Sequence, residues 1–281
     1  MNPNDSVSRR SFLAVTAASA ALAVSGDNVS IPVGLELFSV RDELKKDPQG
    51  TVRAVAKMGY QGVEFFAPYL AWTPDEARQM RAVLDSAGIH CWSTHNGMES
   101  FGDKLPHALE LNRIIGSRFV VLAHPGEVNG LDGYRRLADR LNEATEKLKP
   151  AGLRAGYHNH QAEFTPIDGT RPMEVLAAHT DKSVMLQLDV GTCVEAGSDP
   201  VAWVDANPGR IKSMHLKDWS HLPGRGYKVL FNEGDVPWKK LFDAAESTGG
   251  VEYYLIEQEG SDYPELVTAQ RCLDAYRKLR A

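Results

Sequence analysis

The sequence predicts an α/β protein, a single (β/α)₈ TIM barrel, and three observations carry that prediction. Strand-length apolar runs alternate with longer helix-patterned runs, eight of each over about 250 residues, the usual size of this fold. Some of the strand runs, Phe119 to Ala123 above all, are near-continuous in apolar residues, as buried parallel strands are. Ionisable residues gather where the runs end, and barrels of this kind carry their active sites at the C-terminal ends of their strands. A doubly wound open sheet is the structural alternative. It would want a Gly-rich turn after the first strand, and here that turn reads Phe38-Ser39-Val40-Arg41.

The elements follow in order. Ile31 to Leu37 is the first strand, and Pro48 to Lys57 a helix that stops near Gly59. Gly62 to Phe66 is the second strand. Thr73-Pro74-Asp75-Glu76 supplies an N-cap, a proline in the first turn and two acids near the helix N-terminus, so a helix runs from there to Gly88. Ile89 to Ser93 is the third strand, Leu105 to Ile115 a helix closed by Gly116, and Phe119 to Ala123 the fourth strand. A long helix spans Tyr134 to Leu148. The fifth strand enters through Gly152 to Gly156 and ends in Tyr157-His158-Asn159-His160. Helix 173–179, strand 184–188, helix 201–206 and strand 211–216 come next. Helix 238–248, strand 253–256 and helix 266–279 close the chain. Between strand seven and its helix, Trp219 to Val236 is the longest irregular stretch, and such loops commonly cover a site.

The chain has 281 residues, 43% of them hydrophobic, enough for one large core. A formal charge of −6 argues against a nucleic-acid surface, which is normally basic. Three widely spaced cysteines give neither a disulfide framework nor a Cys-x-x-Cys metal site. Residues 1–25 read as an export signal ahead of a barrel over 26–281. Arg9 and Arg10 precede the mild apolar run Ala14 to Val24, in the manner of a twin-arginine signal, and Ala21 and Ala23 fit an A-x-A cleavage site. The run is short for a membrane span. The expectation is a periplasmic or secreted protein with no stable membrane insertion after cleavage.

Alternation along a strand places every second side chain on one face. His158 and His160 therefore share a face with Gly156, Met185 and Gln187 with Asp189, Ser213 with His215, and Leu255 with Glu257. Glu64 closes strand two, His95 follows strand three, His124 ends strand four and Lys217 follows strand seven. Of nine histidines, six (His95, His124, His158, His160, His215 and His221) stand at or after strand ends. Each alone has a plainer reading: Asp189 as a turn cap, His215 as a buried hydrogen-bonded histidine, Glu64 as a surface acid. Together they are hard to explain without one shared divalent metal ion. Mixed nitrogen and oxygen ligands suit Mn, Zn, Fe or Co, with Mg as a further candidate, better than Ca.

From about Ile31 onward the chain resembles the sugar phosphate isomerase/epimerase family, xylose-isomerase-like barrels of the superfamily that includes endonuclease IV. The matching pieces are Gly62-Val63-Glu64, Tyr157 to Phe164, Leu188-Asp189-Val190-Gly191, His215-Leu216-Lys217-Asp218 and Ile256-Glu257-Gln258-Glu259. The resemblance implies one divalent metal held by residues of strands five to eight, here His158, Asp189, His215 and Glu257, with His160 as a further or alternative ligand. In the epimerases of the family the strand-five ligand is Glu; here it is His158. Where many relatives carry a His after Asp-x-Gly, this chain has Thr192.

The function so implied is proton abstraction next to a carbonyl of a sugar or sugar derivative, by a metal-dependent isomerase or epimerase or by a 3-keto-sugar lyase or hydrolase. Glu64, His160, Lys217 and Glu257 are the expected catalytic residues, and His95, His124 and Arg225 the expected substrate contacts. A non-catalytic sugar-binding protein is the alternative. A DNA-repair endonuclease is disfavoured by the acidic charge and the signal.

Overall fold

A computed structural model describes residues 31–281; the expected signal over 1–25 and the linker Gly26 to Ser30 lie outside the described residues. Eight parallel strands close into a barrel in chain order. They are β1 (Val33–Glu36), β2 (Gly62–Phe65), β3 (His90–Gly97), β4 (Phe119–His124), β5 (Arg154–His158), β6 (Met185–Asp189), β7 (Ser213–Leu216) and β8 (Tyr253–Ile256). Helices lie between them, so the predicted (β/α)₈ architecture holds.

Local signals set the boundaries. The helix Pro74–Ala87 starts in a capping box: Thr73 Oγ1 accepts the Glu76 N–H, and Glu76 accepts the Thr73 N–H at 2.7 Å. It stops at Gly88, whose φ of 66° a residue with a Cβ adopts only at a cost. Helix Leu105–Ile115 has its predicted bounds.

The core has two parts. One lies between the strands and the surrounding helices. The other fills the barrel interior with Trp92, Phe119, Val121, Met185, Tyr253 and Leu255. The indole of Trp92 is seated against two glycines on adjacent strands, Gly34 and Gly62. A Cβ on Gly62 would come within 2.5 Å of that ring, and one on Gly34 within 2.6 Å of the Gly62 carbonyl. This plug closes the interior from below, so only the upper end, where the strands terminate, is left for chemistry.

Two strands end more than one residue away from expectation. β3 continues past Ser93 to Gly97, because its polar residues find partners inside the fold. Thr94 donates to Asn112 at 2.9 Å, and Asn96 accepts from Tyr69 at 2.6 Å. His95 is therefore within a strand, not after it. β5 stops at His158, so His160 does not share its strand face; it stands at the start of the short helix Gln161–Phe164, its N–H donating to Glu163 at 2.7 Å.

Candidate active site

Strand alternation sends one top-layer side chain inward from each of seven strands: Glu36, Glu64, His95, His158, Asp189, His215 and, just past β8, Glu257. All are buried. The neighbouring strands register Glu36 beside Glu64 and Asp189 beside His215.

Gln187, one inward position below Asp189, orders the floor. Its Nε2 donates to Glu64 Oε2 at 3.0 Å and to Ser213 at 3.3 Å. Its Oε1 therefore accepts, from His158 Nδ1 at 3.1 Å and His95 Nε2 at 2.7 Å. This fixes the tautomer of His158: the proton is on Nδ1 and the lone pair on Nε2. Burial, then the neighbouring His95 and His215 rings, holds His158 well below the usual imidazole range, so the ring stays neutral.

The lone pair of His158 Nε2 faces Asp189 Oδ2 at 3.8 Å. Asp189 divides its labour. Oδ1 caps the helix Val190–Glu195 by accepting the Thr192 N–H at 3.0 Å. Oδ2 is buried and has no hydrogen-bond partner among the described residues. The turn-cap reading is thus fulfilled by one oxygen, while the other is left without a hydrogen bond. Ligand atoms of His158, Asp189 and Glu257 lie within 4.8 Å of one another. A carboxylate oxygen without a hydrogen bond, facing a nitrogen lone pair and approached by the Lys217 ammonium only at 3.7 Å, would be satisfied by a cation held between the two. The donor set of one nitrogen and two carboxylates fits a borderline divalent ion.

His215 joins this group from β7. Its Nδ1 lies 2.5 Å from Glu257 Oε2 and its Nε2 2.8 Å from Glu64 Oε1. Burial disfavours its charge, yet Glu64 and Glu257 outweigh that and raise it well above the usual imidazole range. Burial would likewise raise Glu64, but His95 and His215 hold it below the usual carboxylate range. Burial would also raise Glu257, and Lys217 and His215 keep it ionised.

Lys217 points across the mouth from the end of β7. Its ammonium stands 3.4 Å from Glu257, 3.7 Å from Asp189 and 2.5 Å from Glu259. These three acids overcome its burial and keep it charged. The Tyr227 ring lies over it, 4.8 Å from ammonium to centroid, and Tyr227 donates to Glu195 at 2.6 Å. The loop that carries Tyr227 is tied down: Gln258 donates to the Tyr227 and Val229 carbonyls, and Asp218 accepts from Trp238 Nε1 at 2.9 Å and Gly234 N at 3.1 Å.

The expected substrate contacts separate. His95 is part of the floor, its ring 4.4 Å from that of His158. His124 is exposed at the end of β4 and stacks on His160 at 5.7 Å. His160 lies 5.1 Å from the His158 ring, at the rim; among the described residues it is in none of the groups with three converging ligand atoms. Arg225 pairs with Glu233 at 3.7 Å on the exposed loop.

The sequence model of the xylose isomerase-like TIM barrel family matches residues 52–279. The chain belongs to the xylose isomerase-like TIM barrel family. It is similar to the inosose dehydratase of Lacticaseibacillus casei, 24% identical over 260 residues, 77% of this chain and 85% of that one. Among solved structures it is similar to a sugar phosphate isomerase/epimerase from Parabacteroides distasonis, with TM-score 0.75 and 24% identity over 91% of this chain and 96% of that one. It is also similar to the IOLI protein solved with a bound zinc atom, TM-score 0.67 and 14% identity over 89% of this chain and 96% of that one.

Four residues of this xylose isomerase-like barrel were not assigned roles from sequence: Glu36, Gln187, Tyr227 and Glu259. For Glu36 and Gln187 the signal was present in the same alternation that found Asp189. Tyr227 and Glu259 lie in irregular segments, where no period marks a face. Thr192, standing where many relatives have His, accepts from Asn159 at 2.9 Å, and Asn159 accepts the Asp189 N–H at 2.9 Å. That position supports the backbone of Asp189 through Asn159.

Proposed function

We propose that this chain is a divalent-metal-dependent enzyme acting on a sugar-class polyhydroxy ketone. It takes a proton from the carbon beside the carbonyl, and then expels the neighbouring hydroxyl or substituent. The observation that carries the reading is Asp189 Oδ2, buried without a hydrogen bond and facing the lone pair of His158 Nε2, with Glu257 alongside. The similarity to an inosose dehydratase over most of both chains supports elimination above plain epimerisation, and the zinc of one structural neighbour is in keeping with a metal.

His158, Asp189 and Glu257 would hold the ion, and His215, on giving up its Nδ1 proton to make room for the cation, would be the fourth group. A bound divalent cation supplies Lewis acidity toward a carbonyl oxygen. The residues do the rest. Lys217, kept charged first by Glu257 and then by Asp189, places positive charge where a carbonyl oxygen becomes negative. His160, at the rim and pushed down by burial, is neutral near pH 7 and has a lone pair to take the proton. Glu259, pushed up to about 7 by burial and by Glu257, retains a proton to give to a departing hydroxyl. Glu64 holds His95 and His215 in place. The paired Arg9 and Arg10 support export of the enzyme from the cytoplasm, and with it a non-phosphorylated substrate.

The test is incubation of metal-loaded protein with inosose and with 3-keto sugars in D₂O, following deuterium uptake beside the carbonyl and loss of water or of the C1 substituent by NMR. Exchange with elimination is expected. Tight metal binding without exchange on any ketone would sink this reading in favour of a sugar-binding protein.

A further inference from the structure

Tyr227 has no part in the reaction above, yet it is held at its backbone, its ring and its hydroxyl. Its carbonyl accepts from Gln258 Nε2 at 2.6 Å, and Gln258 is next in sequence to Glu257. Its hydroxyl donates to Glu195 at 2.6 Å, at the end of the helix Val190–Glu195 that Asp189 caps. Its ring lies against Gly191 of the same helix. A Cβ on Gly191 would come within 3.2 Å of that ring, 3.2 Å of the Lys217 stem and 2.9 Å of the Lys217 carbonyl. The glycine opens a slot in which ring and lysine stem fit together. The ring then faces the ammonium, 4.8 Å from its centroid, within the reach of a cation–π contact.

A lysine has a flexible four-carbon stem, and its ammonium has three protons to place. Lys217 Nζ donates to Glu259 at 2.5 Å and to Glu257 at 3.4 Å. Asp189 Oδ2 is 3.7 Å away, beyond a hydrogen bond, and is the oxygen assigned to the ion. The third proton is therefore uncommitted. Swinging the ammonium away from the mouth would give up two carboxylates and the ring together.

On the reading of Lys217 proposed above, we infer that Tyr227 is a positioning residue for that lysine. Its ring, its anchor on Glu195 and the slot over Gly191 form a clamp that presents the third proton of the ammonium to the carbonyl oxygen of the substrate. The hydroxyl secures the ring to the helix, and the ring acts on the charge. Phenylalanine at this position keeps the ring and loses the anchor; leucine loses both. The charge opposed by Lys217 develops only as the proton is taken, so loss of the ring should lower kcat and leave KM nearly unchanged.

The experiment compares wild type, Tyr227→Phe and Tyr227→Leu in two assays. The first is carbon–proton NMR of the lysine ε-methylenes in the isotope-labelled full chain, with the Lys217 signal assigned by its loss in Lys217→Met. The ring current of residue 227 should place that signal upfield of the other lysines in wild type and in Tyr227→Phe, and among them in Tyr227→Leu. A Lys217 signal among the other lysines in wild type overturns the clamp, and this reading alone decides if Tyr227→Leu fails to fold. A signal that Tyr227→Leu does not move also overturns it. The second assay is deuterium exchange on the ketone at saturating metal. In Tyr227→Leu, kcat should fall roughly thirtyfold, the worth of one desolvated cation–π contact, and Tyr227→Phe should stay within about threefold of wild type. Unchanged kcat in Tyr227→Leu, or equal losses in both variants, overturns the positioning role. No exchange in any sample, with the NMR shifts as expected, overturns the ketone reading and leaves the clamp standing.

Discussion

Lys217→Met should move metal affinity and turnover in opposite directions. The Lys217 ammonium lies 3.4 Å from Glu257 and 3.7 Å from Asp189, two of the groups assigned to the ion. Lysine and metal therefore compete for the same oxygens. An ion sharing them stands on the order of 5 Å from the ammonium, where charges of +1 and +2 repel by ~1.7 kcal/mol at the dielectric constant of water and ~7 kcal/mol at an effective value of 20. The lower figure alone is roughly a twentyfold gain in affinity once the charge is gone. Methionine keeps the length and apolar stem of the side chain, so the Tyr227 contact persists without its charge. Turnover should fall about 10²–10³-fold, the usual loss when one group opposing a developing oxyanion is removed. The assays are isothermal titration with Mn²⁺ and deuterium exchange on the ketone at saturating metal. Weaker metal binding in the variant would refute the competition, and unchanged exchange would refute the role of the charge.

Three further outcomes are expected. His160→Gln should leave metal content unchanged and slow deuterium exchange by about 10²–10⁴-fold, the contribution of one acid–base group; loss of metal would make His160 a ligand instead. Gly34→Ala forces a methyl to within 2.6 Å of the Gly62 carbonyl and 2.8 Å of the Trp92 ring. Its cost should be about 1–3 kcal/mol, seen in calorimetry as a Tm lower by roughly 3–10 °C, and an unchanged Tm would contradict the seating of Trp92. Replacing Arg9 and Arg10 by Lys should trap the protein in the cytoplasm, because the translocase reads the arginine pair; unchanged export, seen by cell fractionation, would mean another route.

Much of this protein was decided by the order of its residues. Apolar runs such as Phe119 to Ala123 can only be strands buried on both faces, and capped helices such as Pro74–Ala87 carry their own start and stop signals. Eight such alternations leave little choice but a barrel, and a period of two then names Asp189, His215 and Glu257 as inward groups at one end. The tertiary structure decided what no period encodes. Ser93-Thr94-His95-Asn96 reads as a polar exit from a strand. It is strand because Asn112, Tyr69 and the Val121 carbonyl, distant in sequence, meet its polar groups. His160 reads as the twin of His158, but β5 ends between them. Which nitrogen of His158 carries the lone pair is set by Gln187, one strand away, and Gln187 is itself oriented by Glu64 from the opposite side of the barrel. Sequence assigns a side chain to a face because alternation is local. Its tautomer, its charge and its spare oxygen depend on hydrogen bonds between strands that only barrel closure brings together.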